Sequence, residues 1–366
     1  MLRQGVKLQV TVTMKKRSRL GRRWRTAVDL YSGSGAVTAA LKRHSFRVVA
    51  AVDADPVACR TYRLNHPRTR MIEDDIRRVD PAAIRERDLG GEDLDLLVVC
   101  APCQPFSSQN RKRSDDDRAR LILQAGRFAE VLKPLLIFFE NVPGLAAQAS
   151  LLAELREALG PQYMLDEPQR IDAADYGVPQ RRVRCIMLAA RGGPPPELPQ
   201  PSTPKGRRIS VRQAIGHLRS LRAGEMDPDD VLHAARCHQE IALRRLGAIP
   251  KNGGSRSSLP LDLELACHAS AGKRKFPDVY GRMSWDDVAP TLTTGCTDIT
   301  RGRFAHPEDD RAITPREASL LQTFPPDYWF SGTMSDVQTQ IGNAVPVGLI
   351  EALTPTFRLA LSENSR

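Results

Sequence analysis

Short apolar runs alternate with helical stretches through the first half of this sequence, and no other feature restricts the fold as much. Thr26-Ala27-Val28-Asp29-Leu30 is the first run, and the turn Ser32-Gly33-Ser34-Gly35 breaks it. Residues 37–42 read as helix and 47–52 as a second run. Further runs follow at 94–99, 135–139 and 183–188, with helical stretches at 118–133 and 151–159 between them. Strands alternating with helices are the pattern of a parallel sheet covered on both faces, so the expected class is α/β. A chain of 366 residues, 41% hydrophobic and 27% charged, can bury one large core or two ordinary ones. No run reaches the roughly 18 apolar residues of a membrane helix, and no apolar signal core follows the basic N-terminus. The expected location is therefore cytoplasmic, away from membranes.

The alternation stops at Arg191. Residues 191–208 hold six prolines and read as a semi-rigid linker. Irregular sequence with turn signals such as Asn252-Gly253-Gly254-Ser255 continues to about residue 304, as in a second, smaller domain. Thr314-Pro315-Arg316-Glu317 then opens a helix with proline at its first position. The expected divisions are an arm at 1–25, a catalytic domain at 26–190, a linker and second domain at 191–304, and a returning segment at 305–366. The net charge of +11 belongs mostly to the arm, where nine Lys/Arg stand with no Asp/Glu; the remaining residues carry only +2. Such an arm either tracks phosphates or is a solvated tail, with Met14 an alternative first residue. Seven cysteines, an odd number spread along the chain, argue for reduced thiols rather than a disulfide framework.

Four constellations carry chemistry. Asp29-Leu30-Tyr31-Ser32-Gly33-Ser34-Gly35-Ala36 is a glycine turn after the first strand, where backbone can approach a ligand closely. Asp53 closes the second strand about 20 residues on, where a ribose-binding carboxylate is expected. Alanine at 36 and the lack of a following lysine favour an adenosyl ligand without phosphates. Cys103 follows the strand ending at Val99, between Pro102 and Pro105, which suggests a fixed loop at the carboxyl edge of the sheet. A thiol there needs activation to attack as thiolate; the competing reading is a Cys100-x-x-Cys103 redox pair. Glu140-Asn141-Val142 puts a carboxyl at the end of a buried strand, a costly place unless it works or is paired. Gln180-Arg181-Arg182-Val183-Arg184 puts two guanidinium groups on one face of a strand, either around polar acceptors or in a salt-bridged edge.

Together these segments resemble the cytosine-5 DNA methyltransferase family over about residues 26–355. The ordered motifs include Asp74-Asp75-Ile76, Pro102-Cys103-Gln104, Glu140-Asn141-Val142, Gln180-x-Arg182-x-Arg184, Arg316-Glu317-Ala318 through Phe324-Pro325, and Gln340-Ile341-Gly342-Asn343-Ala344-Val345-Pro346. The resemblance implies a Rossmann-like class I methyltransferase sheet with a smaller, irregular target-recognition domain. It implies S-adenosylmethionine as cofactor, no metal, and double-stranded DNA as partner. A cognate restriction endonuclease fits such a role without being physically required, and a DNA-associated monomer is expected. The catalytic residues carried over are Cys103 as nucleophile with Glu140, Arg182 and Arg184. The cofactor-binding set is Asp29, Tyr31, Gly33, Gly35, Asp53, Asp75, Pro102, Leu121, Asn343 and Ala344. For DNA it is Ser107, Arg111, Lys112 and Arg113 in the loop after the nucleophile, and Thr291 and Leu292 in a Thr-Leu element.

Departures from the family pattern are Tyr31 for phenylalanine, Ala36 for glycine, and Asp74 where glycine usually precedes the aspartate. The RNA-acting branch has a Cys-Phe-Thr element that this sequence lacks. A non-catalytic relative would have lost one of Cys103, Glu140 and Arg184, and all are present. His233, Cys237, His238, Cys267 and His268 match no common zinc spacing. Trp285, Tyr328, Trp329 and Phe330 are expected as packing aromatics.

Overall fold

Strand β1 (Arg25–Leu30) opens the described chain. It starts inside the stretch that charge alone assigned to the arm, because Arg25 pairs with Asp95 at 3.2 Å. The computed structural model describes residues 24–102, 117–265 and 278–363. After β1 come α1 (Ala36–Arg43), β2 (Phe46–Asp53), α2 (Pro56–Asn65), β3 (Arg70–Glu73), α3 (Pro81–Leu89) and β4 (Leu96–Val99). Then follow α4 (Ala125–Leu132), β5 (Leu136–Asn141), α5 (Ala149–Leu159), β6 (Tyr163–Leu165), β7 (Gln169–Asp172) and β8 (Val183–Arg191). Helix starts are written locally: Asp55 caps α2 by accepting from the amides of Val57 and Ala58, with Pro56 next. Asp80 and Pro81 do the same for α3.

The sheet order is β3-β2-β1-β4-β5-β8-β6, with β7 also on β8. Strands β1 to β5 are parallel, but β8 runs antiparallel to β5, and β6 and β7 run antiparallel to β8. The sheet is therefore mixed rather than wholly parallel, since an apolar run such as 183–188 carries no information on direction. Leu96–Val99 and Leu136–Asn141 are buried throughout, as strands covered on both faces must be. Ala27, Val48, Leu96 and Phe138 belong to one core, and Val28, Leu30, Leu97 and Phe139 to the other. Truncating a buried phenylalanine in either layer would cost about 3–5 kcal/mol. Because β1 is flanked by β2 on one side and β4 on the other, the strand order reverses there, which opens a crevice at the carboxyl edge.

Among the described residues from 209 to 304 regular structure is sparse: α6 (Val211–Ile215), the hairpin β9 (Met226–Asp227) with β10 (Asp230–Ala234), and α7 (Glu240–Ala248). A small core of their own gathers Leu246, Ile249, Leu259, Tyr280 and Ile299. Irregular backbone leaves carbonyls that no ladder satisfies, and arginine supplies up to five donors to them. Fully buried Arg282 donates to the carbonyls of Leu246, Ile249, His306 and Asp309. Arg311, equally buried, forks onto Glu317 with two contacts of 2.8 Å.

Helix α8 (Pro315–Leu321) has Thr314 and Glu317 in a reciprocal capping box. Helices α9 (Met334–Asn343) and α10 (Val347–Glu363) complete the described chain, and α10 packs on α1. The stretch Met334–Ser362 is long and apolar enough to cross a membrane by length and composition. It is interrupted at Ala344–Pro346, and its apolar residues Leu349, Ile350, Leu353 and Phe357 are fully buried against the sheet. Of the four expected packing aromatics, Trp329 departs: it is 68% exposed, while Tyr328 beside it is buried.

Candidate functional site

Every parallel strand of the sheet delivers a residue to the same edge, and antiparallel β8 delivers its first ones. A cleft of about 1250 Å³ opens there. One wall is Tyr31, Gly33, Asp53, Asp75 and Leu121; the far wall is Thr291, Leu292, Asn343 and Ala344; Pro102, Glu140, Arg182 and Arg184 lie between. Thus the expected residues of these sets that fall within the described chain converge on one cavity, with two exceptions, Asp29 and Gly35.

Asp29 does not reach the cleft. It lies within β1, and side chains alternate along a strand, so it points with Ala27 toward α1 while Leu30 faces the other layer. There it is fully buried, and its Oδ2 accepts from the Thr38 hydroxyl at 2.7 Å. Burial raises its carboxyl to about 7, against the hydrogen bond from Thr38. Gly35 sits under the loop with φ of +94°, and a Cβ there would come within 2.6 Å of the His66 ring. Both residues shape the loop from below.

Above them the loop is fixed by Asp53. Its Oδ2 accepts from the Gly33 amide at 2.8 Å and its Oδ1 from the Asp55 amide at 2.9 Å. Each carboxylate oxygen keeps acceptor capacity for hydroxyls. Burial raises the Asp53 carboxyl above its ordinary value. Tyr31 adopts φ of +60°, a conformation uncommon for a residue with a side chain and often seen at functional sites. Its hydroxyl donates to the Leu121 carbonyl at 2.6 Å, which joins the two into one wall, and burial raises its pKa. Ile76 completes this slot, a member of the Asp74-Asp75-Ile76 motif to which the sequence alone gives no place in the cofactor set. Arg77 grips both oxygens of Asp75, at 2.9 and 2.5 Å, and holds its carboxyl down to about 2. An acceptor pair, an apolar slot and an open glycine suit an adenosyl group.

At the centre Arg184 Nε lies 2.8 Å from Glu140 Oε1, with the two side chains 11% and 8% exposed. The neighbouring Cys185 thiol is pushed up to about 11 by burial and then by Glu140. Asn141 Nδ2 donates to the Ala101 carbonyl at 3.2 Å, so the residue after Glu140 fixes the backbone leading to Pro102. Cys103, Ser107, Arg111, Lys112 and Arg113 lie outside the described residues.

Arg182 does not share the Glu140 pair, although the period of a strand put both arginines on one face. It precedes β8, and its buried guanidinium donates to Leu292 O at 2.8 Å and Gly342 O at 2.9 Å. It thereby joins the Thr-Leu element to the helix end that bears Asn343. Gln180 supports the same junction: its Oε1 accepts from the Leu292 amide, and its Nε2 donates to Gln322. Thr291 Oγ1 donates to the Arg181 carbonyl at 2.7 Å. The two histidines in the described part of the zinc-like cluster work as structural partners: His233 bonds Thr314 and the Arg219 carbonyl, and His238 accepts from the Ala312 amide. Among the described residues no group of three or more His, Cys, Asp or Glu side chains could hold a metal ion.

The family model for C-5 cytosine-specific DNA methylases matches residues 25–357. The chain belongs to that family. As a member it is a DNA (cytosine-5-)-methyltransferase. The type II methylase M.HgiDII of Herpetosiphon aurantiacus is 37% identical over 338 residues, 90% of this chain and 94% of the relative. The type II methyltransferase M.PspPI of a Psychrobacter species is 32% identical, over 89% of this chain and 77% of the relative. Among solved structures, a prophage-encoded chain from E. coli superposes with a TM-score of 0.74 at 21% identity, covering 92% of this chain and 99% of that one. The S. pombe Dnmt2 methyltransferase gives 0.61 at 19% identity, covering 93% and 100%. These structural matches place the fold, a methyltransferase sheet of class I.

Proposed function

We propose that this methyltransferase transfers the methyl group of S-adenosylmethionine to carbon 5 of a flipped-out cytosine in a specific double-stranded DNA sequence, through a covalent adduct with Cys103. The observation that carries this reading is the nearly buried Glu140–Arg184 pair, set in the same cleft as the Tyr31–Asp53 wall and as Pro102, the residue before Cys103.

The Cys103 thiolate adds to carbon 6, forming a sulfur–carbon bond as the 5,6 double bond breaks and its electron pair moves toward carbon 5. Glu140 holds ring nitrogen 3 as its charge changes, and Arg184 stabilises negative charge at the ring oxygen. Asp53 binds the ribose hydroxyls, Tyr31 and Ile76 pack on the adenine, and Asp75 takes its amino group. When bound, the cofactor supplies the methyl group as an electrophile for carbon 5. Loss of the carbon-5 proton to solvent then restores the double bond and expels the Cys103 thiolate. Cytosine inside a duplex is out of reach of such a cleft, so it leaves the stack at a cost of a few kcal/mol. Arg111, Lys112 and Arg113 contact phosphates as the loop after Cys103 closes over the DNA. Thr291 and Leu292 support the recognition side.

The test is incubation with labelled S-adenosylmethionine and duplex DNA, tRNA or neither, with Cys103→Ala as control. Label on DNA alone, lost in the variant, is expected. Label on tRNA only, or on no nucleic acid, overturns the reading.

A further inference from the structure

Beneath the glycine loop lies a cluster of polar side chains that the reaction itself does not use. Tyr328 Oη donates to the Ser34 carbonyl at 2.6 Å, across 294 residues of sequence. His66 Nε2 lies 3.0 Å from the Gly35 carbonyl and 3.1 Å from Tyr328 Oη. His66 Nδ1 lies 3.2 Å from Lys42 Nζ. Lysine can only donate, so Nδ1 accepts and the proton sits on Nε2, shared between Gly35 O and Tyr328 Oη. Burial, then the Lys42 charge, lowers the His66 pKa to about 3, which keeps this neutral tautomer throughout the ordinary pH range. Two successive carbonyls of the loop therefore each have a side-chain donor below them.

The donors are themselves held. Asn65 clasps the Trp329 backbone, donating to its carbonyl at 2.8 Å and accepting from its amide at 3.1 Å. The Ser331 amide donates to Thr61 Oγ1 at 2.8 Å. The Tyr328 ring packs at 4.9 Å from Phe324 and 5.4 Å from Phe330. This segment follows the recognition region in sequence, yet it docks on α2 and props the loop from below. The upper surface of the same loop, Ser32 to Ser34, lines the cleft.

We propose that Tyr328 and His66 are positioning residues for the cofactor: they hold the Ser34 and Gly35 carbonyls so that the loop is already in its binding shape, and they set cofactor affinity. This rests on the S-adenosylmethionine reading above. A loop released from below must be ordered again on binding, and that cost falls on affinity rather than on the chemical step.

The experiment is calorimetric titration of full-length protein with S-adenosylmethionine, without DNA, for wild type, Tyr328→Phe, His66→Ala and His66→Gln. Loss of one such hydrogen bond is expected to weaken binding about tenfold in Tyr328→Phe and His66→Ala. Glutamine retains a donor at the Nε2 position, so His66→Gln is expected to bind within about threefold of wild type. With unmethylated plasmid DNA, KM for the cofactor rises in step with the dissociation constant while kcat at saturation changes less. If Tyr328→Phe fails to fold, the His66→Ala and His66→Gln pair decides alone. Wild-type binding with unchanged affinity in the folded variants overturns the inference and leaves the cofactor reading standing. Absence of binding by the wild type overturns both.

Discussion

Removing both charges of the Glu140–Arg184 pair should cost far less than the sum of removing each. Their side chains are 8% and 11% exposed, with Oε1 and Nε 2.8 Å apart. Loss of one partner from a buried pair leaves an uncompensated charge and costs about 3–5 kcal/mol, whereas neutral replacements for both are often close to neutral. Residual exposure puts Glu140→Gln and Arg184→Met near the lower end, about 3 kcal/mol each. The double variant should lose about 1–3 kcal/mol rather than about 6, an interaction energy of at least about 3 kcal/mol. Urea denaturation of the four proteins measures this through midpoints at constant slope. Methyl transfer should be lost in all three variants, because the double variant restores packing without restoring the two groups proposed to act on the cytosine ring. Additive losses, or single variants within about 0.5 kcal/mol of wild type, would refute the coupling argued from the geometry.

Other outcomes follow from the loop and the junction. The Asp29 carboxyl, raised from 3.8 to about 7, is protonated in the folded chain at pH values where the unfolded chain ionises it. Its contribution to stability is therefore full below pH 4 and drains away as pH rises to about 7; Asp29→Asn should flatten the stability profile over that window in denaturation series. Gly33 and Gly35 should differ on conversion to alanine: at Gly33 a Cβ meets nothing within 4 Å, so the cost is about 1–2 kcal/mol of left-handed backbone. At Gly35 a Cβ would meet the His66 ring at 2.6 Å and Tyr62 at 2.9 Å, so thermal melting should show a larger loss, with cofactor binding lost too. Arg182→Met should cost about 2–4 kcal/mol, since two buried carbonyls lose their donor. Arg182→Lys should restore little of it in the same assay, because one ammonium cannot reproduce a fork.

The sequence made most of the sheet edge legible. A carboxylate such as Asp53 or Glu140 at the end of an apolar run can only sit at the carboxyl edge of its strand, and strands β1 to β5 all end there. The direction of β8 was not legible, since Val183 to Leu188 reads the same in either orientation. Arg182 and Arg184 illustrate the limit of a period-two pattern: their spacing is right, but Arg182 precedes the strand, and carbonyls more than 100 residues away claim its guanidinium. The place of Asp29 was legible in principle. Its position inside β1, between Val28 and Leu30, already turned it from the layer that those residues fill. The support from Tyr328 and His66 was not, since nothing in two distant segments announces that they meet beneath the glycine turn.

The central claim is that Cys103 attacks carbon 6 of cytosine and leaves only when the carbon-5 proton does. Duplex DNA in which 5-fluorocytosine replaces cytosine blocks that departure, because fluorine cannot leave as the proton does. Incubation of this DNA with the protein and S-adenosylmethionine, followed by denaturation, digestion and mass spectrometry, should find a methylated, fluorinated base bonded to the peptide containing Cys103 and absent from Cys103→Ala. A denaturation-stable adduct on another residue, or none with DNA that the protein methylates in its unfluorinated form, would contradict the account.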